Sequence, residues 1–226
     1  MTFATIEHAL EQLRSGRPVL VLDDEDRENE GDAILAAELA SPQWVGWMVR
    51  HTSGYLCAPM EDTRADRLGL PLMWSANTDP LRTRYTVSVD VSTSTTGISS
   101  VERAATTRAL ADPRTTSADL IRPGHVLPLR ARDGGVLTRR GHTEAAVDLT
   151  RLAGLQAVGL IGEIVHDDGT CARTPDVLAL GQAEGLDVIT IESLANWRRS
   201  HEEQPTATTP GSSTTRVSPT VSAQLP

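Results

Sequence analysis

The amino-acid sequence predicts one layered domain of the α/β or α+β class. Short apolar runs alternate with segments whose apolar residues recur at helical spacing, and no internal repeat is visible. The chain has 226 residues, which is long enough to bury a core without a disulfide or a zinc ion. Ser, Thr and Pro dominate residues 204–226 without an apolar face. We therefore expect a folded domain over residues 1–203 and a disordered tail after it.

Apolar spacing and capping residues define the elements of the first half. Apolar residues share one face of a predicted helix over residues 5–14, and the Ser-Pro pair at Ser41 opens a second helix that runs to Met48. A third helix is predicted over residues 100–111 from its composition. The strands predicted in this half are short apolar or alternating runs at residues 19–22, 33–37, 55–58 and 86–91.

The second half continues the same alternation. A predicted helix over residues 143–152 stops before Gly154, and the sequence Thr-Pro-Asp at Thr174 caps the next helix. The last helix is predicted over residues 193–199. Strands are predicted at residues 125–130, 158–165 and 188–191.

Charge and composition exclude several classes of function. The chain carries 21 basic and 30 acidic residues, a net charge of −9, and only 3% aromatic residues, which argues against a nucleic-acid binder. No apolar stretch approaches the ~20 residues of a membrane span, and the first residues lack the features of a signal peptide. Two cysteines, Cys57 and Cys171, exclude a disulfide framework. We therefore expect a cytoplasmic protein that binds neither nucleic acid nor membrane.

Residues 23–32 form a concentrated acidic window between two predicted strands. The window holds seven acidic residues against one arginine, Arg27, and so supplies −6 of the net charge of −9. Carboxylates this dense repel one another, so the window predicts a bound divalent cation, a basic partner or an exposed solvated loop. The spacing differs from that of a calcium-binding EF-hand loop, and hard oxygen ligands favour Mg²⁺ or Mn²⁺.

Residues 139–144 form a second polar cluster, between a Gly-Gly loop and a predicted helix. A helix N-terminus that is preceded by glycine and flanked by Arg139 and Arg140 is suited to bind an anion, and Thr143 can cap the helix or contact phosphate. His142 lies in surroundings too polar for ordinary core packing. The alternative is that these residues only cap the helix.

Two further residues are candidates for acid–base catalysis. Glu163 lies within an aliphatic predicted strand, where burial would raise the pKa of its carboxyl group and suit proton transfer near neutral pH. In a half-exposed strand the same side chain would simply face solvent. His125 lies where a loop joins a strand, a position at which a lone histidine is more often structural than catalytic.

Four stretches of the chain together resemble the motifs of 3,4-dihydroxy-2-butanone 4-phosphate synthases. They are residues 21–32, which contain the acidic window, and then residues 122–126, 138–144 and 163–170. Members of this family convert D-ribulose 5-phosphate into 3,4-dihydroxy-2-butanone 4-phosphate and formate, with Mg²⁺, in riboflavin biosynthesis. The resemblance therefore implies a lyase with a single three-layer α/β/α domain on a mixed sheet. It also implies a homodimer whose active sites lie near the subunit interface.

The resemblance implies roles for individual residues. Glu28 and His142 would be the metal ligands, and His125 and Glu163 would be essential for proton transfer. The residues that would contact the sugar phosphate are Arg27, Glu28, Asp32, Arg139, Arg140, Gly141, His142, Thr143 and Glu163. Enolisation of a ketose needs a base and a cation on the developing enediolate, and the later steps need protons to move within a closed site.

The sequence departs from the family pattern in two places. Segment 77–86 carries Arg84 and Tyr85 where many members have a smaller residue and Phe, which leaves a paralogue acting on a related phosphosugar as an alternative. Many bacterial members are fused to a GTP cyclohydrolase II domain, whose cysteines this sequence lacks, so we expect a stand-alone synthase or a truncated relative of a fusion. A non-catalytic ligand-binding relative is the third hypothesis, and the intact motif residues argue against it.

Overall fold

The computed structural model describes residues 3–202. The predicted tail over residues 204–226 lies outside these described residues. The strands are β1 (Val19–Leu22), β2 (Gly31–Ala36), β3 (Cys57–Met60), β4 (Val89–Val91), β5 (Leu120–Arg130), β6 (Gly159–Glu163) and β7 (Val188–Thr190). Within residues 3–202 these seven strands form one sheet in the order β4-β5-β3-β6-β2-β1-β7.

The sheet is mixed. Strand β1 pairs with β7, and β3 with β5, in the parallel direction, whereas the pairs β1–β2, β2–β6, β3–β6 and β4–β5 are antiparallel. The α-helices of the described range are α1 (Ile6–Arg14), α2 (Pro42–His51), α3 (Asp62–Arg67), α4 (Ser100–Ala111), α5 (His142–Leu152), α6 (Thr174–Glu184) and α7 (Ile191–Glu202).

Helices cover both faces of the sheet, which makes three layers. Side chains alternate between the two cores along a strand: in β1, Val19 and Val21 pack with residues of α1, α5 and α7, whereas Leu20 and Leu22 pack with residues of α2, α3, α4 and α6. Each layer of helices therefore buries its own apolar side chains against the sheet. The predicted α+β class and the three-layer architecture with a mixed sheet are confirmed.

Most of the predicted elements are present, but several boundaries differ. The strand predicted over residues 55–58 lies two residues later, at Cys57–Met60, and the strand predicted over residues 86–91 begins at Val89. The strand predicted over residues 125–130 extends back to Leu120. Strand pairing sets these limits, because it depends on partners far away in the chain that local spacing does not reveal.

Strand β2 begins at Gly31 and not at residue 33, so Asp32 belongs to the sheet rather than to the acidic loop. Gly and Asp have low intrinsic preference for strands, but Asp32 pairs with Val21 of β1 on one side and with Glu163 of β6 on the other. The short helix α3 was not predicted, because its sequence is mostly charged and has no apolar face. In the part of the chain that the structure describes, no helix is long and apolar enough to span a membrane.

Candidate active site

A polar cleft of about 440 Å³ opens where the acidic loop, the sheet and the N-terminus of α5 meet. Its walls come from distant parts of the chain. They are formed by Arg27, Glu28, Glu30, Asp32, Cys57, Thr83, Tyr85, Leu129, Arg139, His142, Thr143, Ile161 and Glu163. The structure thus brings together seven of the residues that the sequence marked as candidates: Arg27, Glu28, Asp32, Arg139, His142, Thr143 and Glu163.

The acidic loop is folded around one of its own carboxylates. Asp23 is buried, and its Oδ1 accepts a hydrogen bond from the backbone N–H of Glu30 at 2.9 Å while its Oδ2 accepts one from the N–H of Glu28 at 3.0 Å. Nη1 of Arg27 lies 2.9 Å from the same Oδ2 and also contacts the carboxylate of Glu28. Because these bonds give the loop a defined shape, the hypothesis of a merely solvated acidic run is not supported.

His142 is the first residue of α5 and points into the acidic cluster. Its Nε2 lies 3.0 Å from the carbonyl oxygen of Val21, which can only accept a hydrogen bond, so Nε2 carries the proton. Its Nδ1 faces two carboxylates, at 3.5 Å from Asp32 Oδ1 and 3.8 Å from Glu28 Oε2. A histidine whose second nitrogen donates to a backbone carbonyl is the usual arrangement of a metal-binding histidine.

Asp32 is the most deeply buried carboxylate of the cleft. Its side chain is 2% exposed, and its Oδ1 has no hydrogen-bond partner among the described residues. Burial raises the pKa of Asp32 to about 7. Burial opposes a charge on His142, but the neighbouring carboxylates of Asp32 and Glu28 outweigh it and raise the pKa of the imidazole to about 9. The interaction with His142 lowers the pKa of Glu28. The cluster therefore favours a positive charge among its carboxylates.

The donor set suits a hard divalent cation that keeps part of its water shell. An orphaned carboxylate oxygen of Asp32, a second carboxylate on Glu28 and Nδ1 of His142 face one another. Among residues 3–202, however, no three His, Cys, Asp or Glu side chains form a complete metal cluster. Mg²⁺ is commonly held by one or two protein ligands while water and substrate oxygens supply the rest.

Arg139, three residues before α5, forms an ion pair that packs against Gly141. Nη1 of Arg139 lies 2.6 Å from Oε2 of Glu144, which is 1% exposed. A Cβ on Gly141 would lie 2.2 Å from Arg139 Nη1, so a side chain at this position would displace the Arg139 guanidinium. Arg139 also donates to the carbonyl oxygen of Leu81 at 3.1 Å and to the hydroxyl of Thr83 at 3.2 Å. Arg139 therefore anchors segment 77–86 at the mouth of the cleft.

Arg140 and Gly141 do not line the cleft. Nη1 of Arg140 lies 3.4 Å from Oδ2 of Asp24 and so connects the α5 motif to the acidic loop. Gly141 acts through the space that it leaves for Arg139. Thr143, in contrast, lines the cleft from the first turn of α5, where backbone N–H groups lack partners within the helix.

Glu163 is the last residue of β6, and its expected burial within the strand is only partly correct. The four residues before it are buried, but Glu163 itself is half-buried and reaches the cleft. The hydroxyl of Ser53 donates a hydrogen bond to Glu163 Oε2 at 2.7 Å, and the N–H of Ser53 donates to the carbonyl oxygen of Glu163 at 2.7 Å. Ser53 therefore fixes both the backbone and the carboxylate of this residue.

His125 is the one candidate proton-transfer residue outside this cleft. It lies in β5, and β3 lies between β5 and the strand of Glu163. Its Nδ1 is 2.7 Å from Oδ2 of Asp90 in β4, and 42% of its side chain is exposed. Within one chain, Glu163 therefore lines the cleft and His125 does not.

Sequence reasoning missed several residues of the cleft. The cleft is also lined by Cys57 of β3, Leu129 of β5, Ile161 of β6 and Tyr85 from the segment before β4. Burial raises the pKa of the Cys57 thiol well above its usual value, and burial also raises the pKa of Tyr85. The sequence marks Cys57 only as one of two cysteines, Leu129 and Ile161 only as strand residues, and Tyr85 only as a departure from the family pattern. No local pattern distinguishes a strand residue that faces a cleft from one that faces the core.

The fold and the site define the class of protein as a three-layer α+β domain with a charged cleft at a helix N-terminus. Residues 7–197 match the family model of 3,4-dihydroxy-2-butanone 4-phosphate synthase, and the chain belongs to that family.

Sequence comparison finds similar proteins over almost the whole described range. The chain is 57% identical over 204 residues to a riboflavin biosynthesis protein RibBA of Salinispora arenicola, which covers 90% of this chain and 49% of that protein. It is 54% identical over 202 residues to a RibBA of Mycobacterium tuberculosis, covering 88% of this chain and 48% of that protein. The chain thus spans about half the length of these relatives.

Solved structures show the same fold. A crystal structure of a 3,4-dihydroxy-2-butanone 4-phosphate synthase in complex with two magnesium ions has a TM-score of 0.84 and 43% identity, covering 88% of this chain and 99% of that one. The synthase of Candida albicans has a TM-score of 0.82 and 46% identity, with the same coverage of both chains.

Proposed function

We propose that the protein is a lyase that converts D-ribulose 5-phosphate into 3,4-dihydroxy-2-butanone 4-phosphate and formate, with Mg²⁺ or Mn²⁺, in riboflavin biosynthesis. The observation that carries this proposal is the meeting of Glu28, Asp32 and His142 with Glu163 in one cleft at the N-terminus of α5. Membership of the synthase family supports it. The chemistry needs these parts, since enolisation of a ketose requires a base and stabilisation of the enediolate.

Glu28 and His142 are the residues that would hold the cation. The side chain of His142 is oriented by the carbonyl oxygen of Val21, which leaves Nδ1 available beside Glu28. When bound, the cation would supply electrostatic stabilisation to the developing enediolate oxygens. Asp32 would then act on the sugar, as a hydrogen-bond acceptor whose Oδ1 has no protein partner among the described residues.

The phosphate would bind at the first turn of α5. Thr143 offers a hydroxyl and free backbone N–H groups surround it, while Arg27 and Arg139 contribute positive charge from either side of the cleft. Arg140 would support this end of the site through its pair with Asp24. Gly141 would allow the close approach of the Arg139–Glu144 pair.

Protons would move through Glu163 and His125. Ser53 holds the carboxylate of Glu163 with a hydrogen bond at 2.7 Å, so that its second oxygen can face the substrate. His125 is half-exposed, and its Nε2 has no hydrogen-bond partner among residues 3–202. The two residues would serve as base and acid in successive steps.

A homodimer would bring His125 into a complete site. Exposed apolar residues belong to the segments next to this histidine: Ile98 follows Gly97, whose added Cβ would meet His125, and Ile121 is the register partner of Asp90. Ile98 is 53% exposed, Val101 61% and Ile121 44%, and a patch of this kind favours contact with another protein surface. We expect Ile121→Glu to shift the protein from dimer to monomer in analytical ultracentrifugation, with activity lost in parallel.

Formate release tests the reaction. Purified protein with D-ribulose 5-phosphate should release formate with Mg²⁺, and the release should vanish with EDTA. Glu163→Gln should abolish release while the substrate still binds in a calorimetric titration, because the variant keeps the size of the side chain and loses only its proton exchange. Glu11→Gln, at an exposed position of α1, is the matched control.

Three results would contradict the proposal. Full turnover after metal removal would exclude the metal's role, and near-normal release by Glu163→Gln would remove this residue from the mechanism. Turnover of another phosphosugar without turnover of ribulose 5-phosphate would identify a specialised relative. Cytoplasmic location stays a prediction from the sequence.

A further inference from the structure

We propose that Asp90 is the positioning residue of His125: it holds the imidazole in the tautomer with a proton on Nδ1 and presents Nε2 for proton transfer. The inference rests on the proposed function, in which His125 moves protons. The motif that contains His125 does not include Asp90, which lies 35 residues earlier in the chain. The assignment therefore comes from the contacts alone.

Two hydrogen bonds join Asp90 to His125. Oδ2 of Asp90 lies 2.7 Å from Nδ1 of the imidazole, and Oδ1 accepts the backbone N–H of His125 at 2.9 Å. One carboxylate thus fixes the ring and the main chain of the same residue. The Asp90 side chain is 8% exposed, whereas 42% of the His125 side chain is exposed. A buried acceptor beneath an accessible ring orients the ring and leaves its far side free.

An irregular strand pair creates this contact. Val89 pairs with Val126, but Asp90 pairs with Ile121, and the register shifts between Val89 and Asp90. Gly124 makes the close approach possible, since a Cβ there would lie 2.0 Å from the carbonyl carbon of Val89. Bulges of this type re-aim side chains next to functional sites.

Gly97 packs against the contact between Asp90 and His125. It has φ +77°, and a Cβ on it would lie 2.0 Å from Asp90 Oδ2 and 2.6 Å from His125 Nδ1. The glycine backbone therefore lies close against the hydrogen bond, where a side chain would not fit. On the α4 side, the guanidinium of buried Arg103 interacts electrostatically with the Asp90 carboxylate. An ionised carboxylate can only accept, so the shared proton lies on Nδ1.

The tautomer decides which nitrogen can act as a base. With Nδ1 protonated and held by Asp90, the lone pair of Nε2 is free to take a proton, and the imidazolium that forms is stabilised by the carboxylate. An amide in place of the carboxylate would donate its N–H to Nδ1 and so favour the opposite tautomer. Asp90→Asn keeps the size of the side chain and an oxygen for the backbone N–H of His125. It therefore separates the positioning role from a purely structural one.

The test combines kinetics with the tautomer itself. We expect Asp90→Asn to lower kcat for formate release at least about a hundred-fold, with little change in KM for D-ribulose 5-phosphate. Nitrogen-15 NMR of labelled protein should show the Nδ1–H tautomer at His125 in the wild type and the Nε2–H tautomer in the variant. Asp119→Asn is the control, because Asp119 also accepts a backbone N–H, from Thr116 at 2.8 Å, but contacts no histidine.

A double-mutant cycle excludes a structural explanation. If Asp90 acts through His125, Asp90→Asn should cause less than about a threefold further loss in a His125→Gln background. An undiminished loss in that background would overturn the inference, as would near-wild-type kcat in Asp90→Asn. An Nε2–H tautomer in the wild type would overturn it even if the variant failed to fold. A wild type that releases no formate would refute the proposed function, and the NMR result would still decide how Asp90 holds the ring.

Discussion

Asp32 of β2 and Glu163 of β6 are register partners on neighbouring antiparallel strands, so two carboxylates stand side by side at the floor of the cleft. Like charges directly opposite each other weaken a sheet. Burial raises the pKa of Asp32 to about 7, and the charge of Glu163 contributes in the same direction. The protein therefore accepts an unfavourable pair at the place where a cation and a sugar would bind, which is a common property of functional sites.

Asp32→Asn should stabilise the protein in the absence of a divalent cation while it abolishes formate release. The amide removes a buried charge whose Oδ1 has no hydrogen-bond partner among the described residues, and we expect a gain of about 1 kcal/mol in the free energy of unfolding at about pH 8. Urea denaturation with and without Mg²⁺ would measure it. Asp119→Asn is the control, and a loss of stability on Asp32→Asn would show that the charge is compensated within the protein.

Metal binding should depend on Glu28 and His142 and not on the acidity of the loop as a whole. We expect Glu28→Gln and His142→Asn each to weaken Mn²⁺ binding in calorimetry at least about tenfold, because each removes one ligand. Glu25→Gln, an exposed residue of the same loop, should leave the affinity within about twofold. Equal losses in all three variants would indicate nonspecific attraction to the acidic window.

Gly141→Ala should disrupt the site through Arg139. The new Cβ would lie 2.2 Å from Arg139 Nη1 and 3.0 Å from Glu144 Oε2, so the ion pair must move. We expect a loss of about 1–3 kcal/mol in stability and a higher KM for the sugar phosphate. Gly46→Ala, within α2, is the matched control. A Cβ on Gly46 would meet only Ser100, at 3.6 Å, so this variant should keep or raise the melting temperature. An unchanged KM in Gly141→Ala would show that Arg139 does not contribute to substrate binding.

The loop that contains Gly97 should keep its hydrogen bonds to Glu102 down to a low pH. Hydrogen bonds from the hydroxyl and N–H of Thr95 lower the pKa of Glu102 to about 2. Because this pKa lies below the ordinary glutamate value, the stabilisation is present above that ordinary value and is lost as the pH falls towards 2. A carbon-13 NMR titration of the Glu102 carboxyl group should show this low midpoint. Thr95→Val should move the midpoint upward, and an ordinary midpoint in the wild type would contradict the bonding described.

Local sequence determined the described helices other than α3, the approximate strands and the chemical types of the site residues. Apolar periodicity and capping residues are local properties, so α1 and α2 could be predicted from their own residues. The density of carboxylates in residues 23–32 predicted a cation site, a basic partner or a solvated loop for the same reason, and the family motifs marked the candidate residues for contact with the substrate.

Tertiary structure alone decided how these residues meet. The sequence places Asp32 in the acidic window before a strand at residues 33–37, and only its pairing with β1 and β6 shows that it stands beside Glu163. The contact of Asp90 with His125 depends on a register shift between β4 and β5, and the joining of Arg139 to Leu81 depends on packing across 58 residues of chain. Strand register and side-chain contact are long-range properties, set by which segments pair and not by the composition of either segment.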